Sequence, residues 1–290
     1  MTKESLETKT ERALNWYPGH MEKAIKQIKA KLSLVDIVFE IRDARAPLYS
    51  ANPALDEVLA QKLRIIVVNK ANLVDTVSLK NWENWFKQSK SPVFILNCFD
   101  KTAMKKLLQF SRQSIADRKT NTQAQYTPKL KAMVIGLPNT GKSTFINQMA
   151  GKNIAKAADK PGQTQTQQWI NVDSSFELLD TPGVMTPLIA TDEQAMALCA
   201  IYAIPDHVVG EERPVRYLLN LLLSKKSPEL KARYKLDSFD LDLEQLIEHI
   251  AKKRGCIKTG AQTDYEKLFK LVLHDFRSGD LGLICLQQPD

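Results

Sequence analysis

The chain has 290 residues, 43% hydrophobic and 26% charged, which is room for a nucleotide-binding domain and a smaller companion in an ordinary globular protein. Its polar start, MTKESLETKTER, lacks a signal peptide's apolar segment, and no run approaches membrane-spanning length. The four cysteines (98, 199, 256, 285) and four histidines have neither disulfide-scaffold nor zinc-site spacing, so a cytoplasmic protein with free, mostly buried thiols is expected.

The net charge is +8, with 27 Lys and Arg against 17 Asp and Glu in residues 1–190, but 14 against 16 in 191–290. The basic excess, which suits a nucleic-acid partner, therefore sits on the first part of the chain. Residues 1–14 read as a mobile tail, and NWYPGHM (15–21) is aromatic and turn-forming. In EKAIKQIKAKL (22–32), Ile25, Ile28 and Leu32 share one helical face. Lys23, Lys26 and Lys29 line another, suited to phosphate backbones or simply to solvent. The run 34–41 (LVDIVFEI) predicts a buried strand ending in RDARAP, and 52–61 predicts a helix. RIIVV (64–68) predicts a parallel strand ending in NKANLVD. A helix with Trp82 and Trp85, a strand over 93–96, the turn NCFDKTA and a basic helix from Met104 to about Ala116 follow. Segment 117–129 is a polar connection.

Residues 136–144, GLPNTGKST, follow the apolar run 131–135 and match the Gly-x4-Gly-Lys-Ser/Thr phosphate loop. Gly136 and Gly141 let the backbone approach phosphates, Lys142 reaches the β- and γ-oxygens, and Ser143 offers its hydroxyl to Mg²⁺. The expected helix behind them presents its N-terminal dipole to the anion. The strand 176–179 ends in DTPG (180–183), where Asp180 is placed to hold Mg²⁺ through water and the Gly183 N–H to sense a γ-phosphate. Between them, PGQTQTQQW offers Thr164 or Thr166 as a switch threonine closing over Mg²⁺, with Thr164 favoured.

Asn69-Lys70 stands at a strand end where GTP-binding domains carry Asn-Lys-x-Asp, and Asn97-Cys98 stands where their next strand ends in a turn whose backbone N–H meets guanine O6. Both precede the phosphate loop instead of following it, which indicates circular permutation. With NWYPGHM, DAR-P, NKA, GLPNTGKST, PGxT, QQW, LLDTPG and KRGC in this order, the chain resembles the circularly permuted GTPases of ribosome assembly, closely the ribosome biogenesis GTPase A family. The resemblance implies an α/β fold: a permuted P-loop GTPase domain with a mostly parallel sheet over 15–189, then an all-helical domain over 190–290 that contacts rRNA. It further implies late maturation of the large ribosomal subunit as the activity, GTP and GDP as ligands and no membrane partner, and a monomer is expected off the ribosome.

Residue by residue, the resemblance puts Asn139, Thr140, Gly141, Lys142, Ser143 and Thr144 around the phosphates, with Asn139 either a K⁺ ligand or a turn-former beside Pro138. Val184 follows DTPG where many GTPases carry a water-orienting Gln. Hydrolysis is therefore expected to be slow alone and to need a delivered group, His20 being the candidate within the chain unless it only packs or contacts RNA. Asn72 replaces the Asp of Asn-Lys-x-Asp. An amide opposes one guanine donor with its own, so guanine preference is expected to weaken, and Asp75 lies three residues too late to substitute. Beyond about Ala190, apolar residues recur at helical spacing in EQAMALCAIYAI, VRYLLNLLL, LEQLIEHIAKKRG and DYEKLFKLVLHDFRSG.

Overall fold

The computed structural model describes residues 19–120, 129–152, 168–181, 183–184 and 189–289, with the side chains of 19–24 and 119–120 left aside. Six strands form one sheet: β1 Ile37–Asp43, β2 Leu63–Asn69, β3 Val93–Ile95, β4 Leu130–Gly136, β5 Gln168–Asp173 and β6 Phe176–Asp180. Their spatial order is β3-β2-β1-β4-β6-β5, and only the β5–β6 pairing is antiparallel. The β-branched runs of β1, β2 and β4 are buried along almost their whole lengths, as strands covered on both faces must be. Because the strand ending in Asn69-Lys70, β2, precedes in the chain the strand that feeds the phosphate loop, β4, and the two lie on the same sheet, the order of the sheet is circularly permuted.

Five helices accompany the sheet: α1 Gly19–Lys31, α2 Asp56–Leu59, α3 Thr76–Phe86, α4 Lys101–Thr120 and α5 Lys142–Ala150. On α1 the expected apolar face does the packing. Ile28 is buried, with Ile25 and Leu32 against the cluster of Val35, Val38, Met133, Ile135, Leu179 and Val184. Phe39 and Phe145 meet on the other face, their rings 5.3 Å apart.

Several boundaries differ from the expectation. The helix expected over 52–61 is a 3-10 turn, Pro53–Leu55, running into the single turn of α2. The Asn52 side chain caps Ala54 N–H, and the chain must already be extended at Leu63 to pair with Ile37. Strand β1 starts three residues later, because Leu32–Leu34 is a 3-10 turn, and runs on into Arg42 and Asp43. Their burial is compensated by pairing: Glu40 with Arg42 and Arg64, and Asp43 with Arg45. Edge strand β5 has no expected counterpart: its apolar residues Trp169, Ile170 and Val172 make only a short pattern and Ile170 alone is buried, so nothing marks it off from the polar segment before it.

From Asp192 the chain is helical: α6 Asp192–Ala200, α7 Asp206–Val209, α8 Glu212–Ser224, α9 Pro228–Tyr234, α10 Leu243–Arg254 and α11 Tyr265–Ser278. Helix α10 starts at a capping box, Asp242 with Gln245, and stops at left-handed Gly255. The helices share one apolar cluster that also takes in Ala46 and Leu137 from the sheet's loops. Among the described residues no helix is long and apolar enough to cross a membrane, and all four cysteines are buried and free.

Candidate functional site

The order in which strands are added reverses between the parallel neighbours β1 and β4: β2 and β3 extend the sheet one way, β6 and β5 the other. A parallel sheet binds ligands in the crevice beyond the strand ends at such a point. Asp43, Asn69, Gly136 and Asp180 are the last residues of β1, β2, β4 and β6.

The loop 137–141 turns from β4 into α5, whose N-cap, Gly141, has φ +98° and no side-chain cap. The first amides of α5 thus remain for an anion. Tight packing imposes the glycines: a Cβ on Gly141 would collide with the Asn69 amide, and one on Gly183 would sit 2.9 Å from Pro138 N. Lys142 is buried and folds back across the loop, Nζ donating to the Leu137 carbonyl at 2.8 Å. Burial pulls its pKa down to about 8, against the opposing attraction of Asp180 and with a further push from Lys70. Burial likewise holds the Asp180 carboxyl above its usual range despite Lys142 and the Thr181 amide. Among the described residues, the buried Asp180 Oδ1 has no hydrogen-bond partner, a defect that a hydrated cation would relieve.

The second phosphate element is pinned to the first. Val184 N–H donates to Gly136 O at 3.1 Å, and Asn52 Nδ2 donates to Val184 O at 2.9 Å. Val184 itself is fully buried in the α1 cluster, so its side chain offers nothing to a water.

At the other end, Asn69 joins three loops: Nδ2 donates to Thr140 O at 3.1 Å, and Oδ1 accepts from Cys98 N–H at 3.1 Å. Lys70, left-handed at φ +63°, reaches the Asn139 carbonyl at 2.6 Å and Asp43 at 2.9 Å. Burial lowers the Lys70 pKa although Asp43 opposes it, whereas Arg45 and Lys70 overcome burial and keep the Asp43 carboxyl far below its usual range. Asn72 is exposed in the 3-10 turn Ala71–Leu73. Asp75, by contrast, caps α3 through Ser78 N–H, which removes it as a replacement for the missing carboxylate. The Asn97 side chain accepts from Phe99 N–H, and the Thr140 hydroxyl donates to Leu137 O. Both residues therefore have mainly backbone to offer a ligand. Ser143 and Thr144 lie partly exposed in the first turn of α5.

The expected site residues on β2, β3, β4 and β6 are thus brought to one sheet edge. His20 stands in the first turn of α1, its side chain outside the described residues, and Thr164 and Thr166 lie outside them altogether. Sequence reasoning missed Asn52, Tyr202, whose carbonyl accepts from Asn139 Nδ2 at 2.8 Å, and the role of the Asp43–Arg45 pair. The RDARAP stretch was the available signal for that pair, whereas Asn52 and Tyr202 sit in segments with no motif.

A family model described as 50S ribosome-binding GTPase matches residues 131–254. The chain is 37% identical to the ribosome biogenesis GTPase A of Bacillus cereus, over 96% of this chain and 94% of that one. It is 30% identical to the Thermotoga maritima protein of the same name, over 96% and 95%. Among solved structures, GNP-bound YlqF from T. maritima aligns with a TM-score of 0.65 at 26% identity, covering 92% of this chain and 99% of that one. With a phosphate loop, Asn-Lys turn and DTPG element gathered on a permuted sheet, and relatives this similar along nearly its whole length, the chain belongs to the ribosome biogenesis GTPase A family.

Proposed function

We propose that this protein hydrolyses GTP, binds the large ribosomal subunit in its triphosphate form during late maturation, and leaves after hydrolysis. The observation that carries the reading is the joining of Gly183–Val184 to the phosphate loop at Pro138 and Gly136, a contact that a γ-phosphate would tighten and its loss would relax. In this reading the α5 amides and Lys142 bind the phosphates, with Lys142 leaving the Leu137 carbonyl to do so. Asn69, Lys70 and the Asn97-Cys98 turn form the base side.

Ser143, Asp180 and Thr164 would hold Mg²⁺. The unpartnered Asp180 oxygen fits this, and one carboxylate suffices because Mg²⁺ keeps most of its water and phosphate ligands. Bound there, it would supply positive charge beside the transferring phosphoryl group. Asn139 would present its side-chain oxygen to K⁺. With Val184 buried and apolar, the attacking water must be oriented by another group, and His20, carried by the α1 that packs over Val184, is the proposed one. Exposed Lys26, Lys29, Lys101, Lys105 and Lys106 offer phosphate contacts to rRNA, and the helical region after Ala190 is proposed as a second contact.

Steady-state GTP turnover in K⁺ buffer, with and without purified large ribosomal subunits, tests this. Strong stimulation by subunits is expected, and His20→Ala should bind GTP yet lose turnover. GTP binding with no stimulation would favour a nucleotide-sensing module with vestigial catalysis, and undiminished turnover in His20→Ala would remove His20 from the mechanism.

A further inference from the structure

Asn139 of the phosphate loop is held directly by the helical region at its side chain and by Lys70 at its carbonyl, and both lines of contact trace back to neighbouring positions on α11. Its side-chain Nδ2 donates to the Tyr202 carbonyl at 2.8 Å. Since a carbonyl can only accept, this bond fixes which way the amide faces and leaves Oδ1 as the end turned away from Tyr202. Tyr202, just past α6, is left-handed at φ +64°, a conformation that a tyrosine keeps only where surrounding contacts impose it.

The turn's own bond from Tyr202 N–H to Cys199 O at 2.9 Å is one such contact, and Arg277 adds others. Its guanidinium stacks 4.3 Å from the Tyr202 ring centroid, donates to Ala200 O at 3.0 Å and Cys199 O at 2.8 Å, and pairs with Asp206 at 2.6 Å. One planar cation thus closes the end of α6, bridges to α7 and covers the tyrosine whose carbonyl aims Asn139. The residue before it, Phe276, lies 5.2 Å from the Arg45 guanidinium, and Arg45 pairs with Asp43 at 2.8 Å. Asp43 in turn takes Lys70, whose Nζ reaches the Asn139 carbonyl.

We propose that Tyr202 and Arg277 are positioning residues of the nucleotide site: through the Tyr202 carbonyl they set the orientation of Asn139, so the packing of α6 against α11 tunes affinity for a nucleoside triphosphate. This rests on the nucleotide-binding reading above. It gives the helical region a direct grip on the phosphate loop, so whatever displaces α11 from α6 changes how tightly triphosphate is held.

The test is a double-mutant cycle on the full chain, read as the affinity for a non-hydrolysable GTP analogue by calorimetry. Tyr202→Gly keeps the accepting carbonyl and suits the positive φ, but removes the ring that Arg277 covers. Asn139→Gly, at φ +57°, removes the amide without backbone strain. Arg277→Ala and Tyr202→Gly are each expected to weaken binding about fivefold in the wild-type background, the loss of one hydrogen bond's net worth. In the Asn139→Gly background they should weaken it by less than about twofold.

A merely structural role would give the same loss in both backgrounds, and that result, or full affinity in the single variants, overturns the proposal. If Arg277→Ala does not fold, the Tyr202→Gly arm decides alone. A wild-type chain that binds no analogue would remove the nucleotide reading and this proposal together, whereas a wild type that binds while the cycle is additive removes only the proposal.

Discussion

Lys142 is buried beside a carboxyl that burial holds above its usual range, and its own pKa sits at about 8. Triphosphate oxygens at the α5 N-terminus would favour the ammonium and raise that value. Below pH 8 the lysine is then charged both free and bound and contributes no pH dependence. Above it, binding must take up a proton, and affinity falls by up to about tenfold per pH unit until the raised pKa of the complex is reached. Calorimetric titrations in buffers of different ionisation heat should show almost no proton uptake at pH 7 and close to one proton at pH 9; uptake that stays flat would mean Lys142 is not the phosphate lysine.

Asn72 stands in the exposed turn at the other end of the candidate site. Asp75, spent on capping α3, does not supply the missing carboxylate. Asn72→Asp should therefore strengthen GDP binding by about 1 to 3 kcal/mol, the worth of a satisfied rather than opposed donor. It should also raise the preference for GDP over xanthosine diphosphate in competition, and an unchanged ratio would place base recognition elsewhere.

At the scale of elements, β1, β2, β4, α1, α5 and the long C-terminal helices were legible because each carries a strong period or a β-branched run with clear stops. The permuted order was legible too, because DAR, Asn-Lys, the phosphate loop and DTPG each mark a strand's end. Elements whose existence depends on neighbours were not. Strand β5, half apolar, is fixed by pairing with β6, and the helix expected over 52–61 is cut to the single turn of α2 in the gap between β1 and β2. The candidate site divides the same way. The phosphate-loop, Asn-Lys and DTPG residues are local signals on strand ends, whereas Asn52 works through a partner 132 positions away and Asn139 through one 63 away, and no spacing rule encodes such distances. The sequence also showed that Val184 lacks a water-orienting group; its burial under α1 gives the reason, since Val184 is committed to the core that seats the helix carrying His20.

Across the whole molecule, the chain's last segment closes onto its first strands. Ile284 N–H donates to Leu73 O at 3.0 Å, Leu286 N–H to Arg45 O at 2.7 Å, and Gln287 Oε1 accepts from Leu48 and Tyr49 N–H at 2.8 and 3.1 Å. Trp82 donates to Gln287 O at 3.2 Å, and Cys285 is buried in the same cluster as Ala44 and Trp82. These contacts tie the loops after β1 and β2 to the chain's last segment, whose Ile284 and Leu286 share an apolar cluster with Leu137 of the phosphate loop, so the turn around Asn72 is bonded to a segment more than 200 residues distant. Removing residues 284–290 should first release the Leu48 and Tyr49 amides, seen as faster hydrogen exchange there while the α5 amides keep their protection. Stability should fall by at least about 2 kcal/mol, since Ile284, Cys285 and Leu286 are all buried. GDP should bind more weakly through the loosened Leu73 turn. If exchange at Leu48 and Tyr49 rises while GDP affinity is unchanged, the tail only covers the sheet's loops; if both change together, it is part of what shapes the base side of the site.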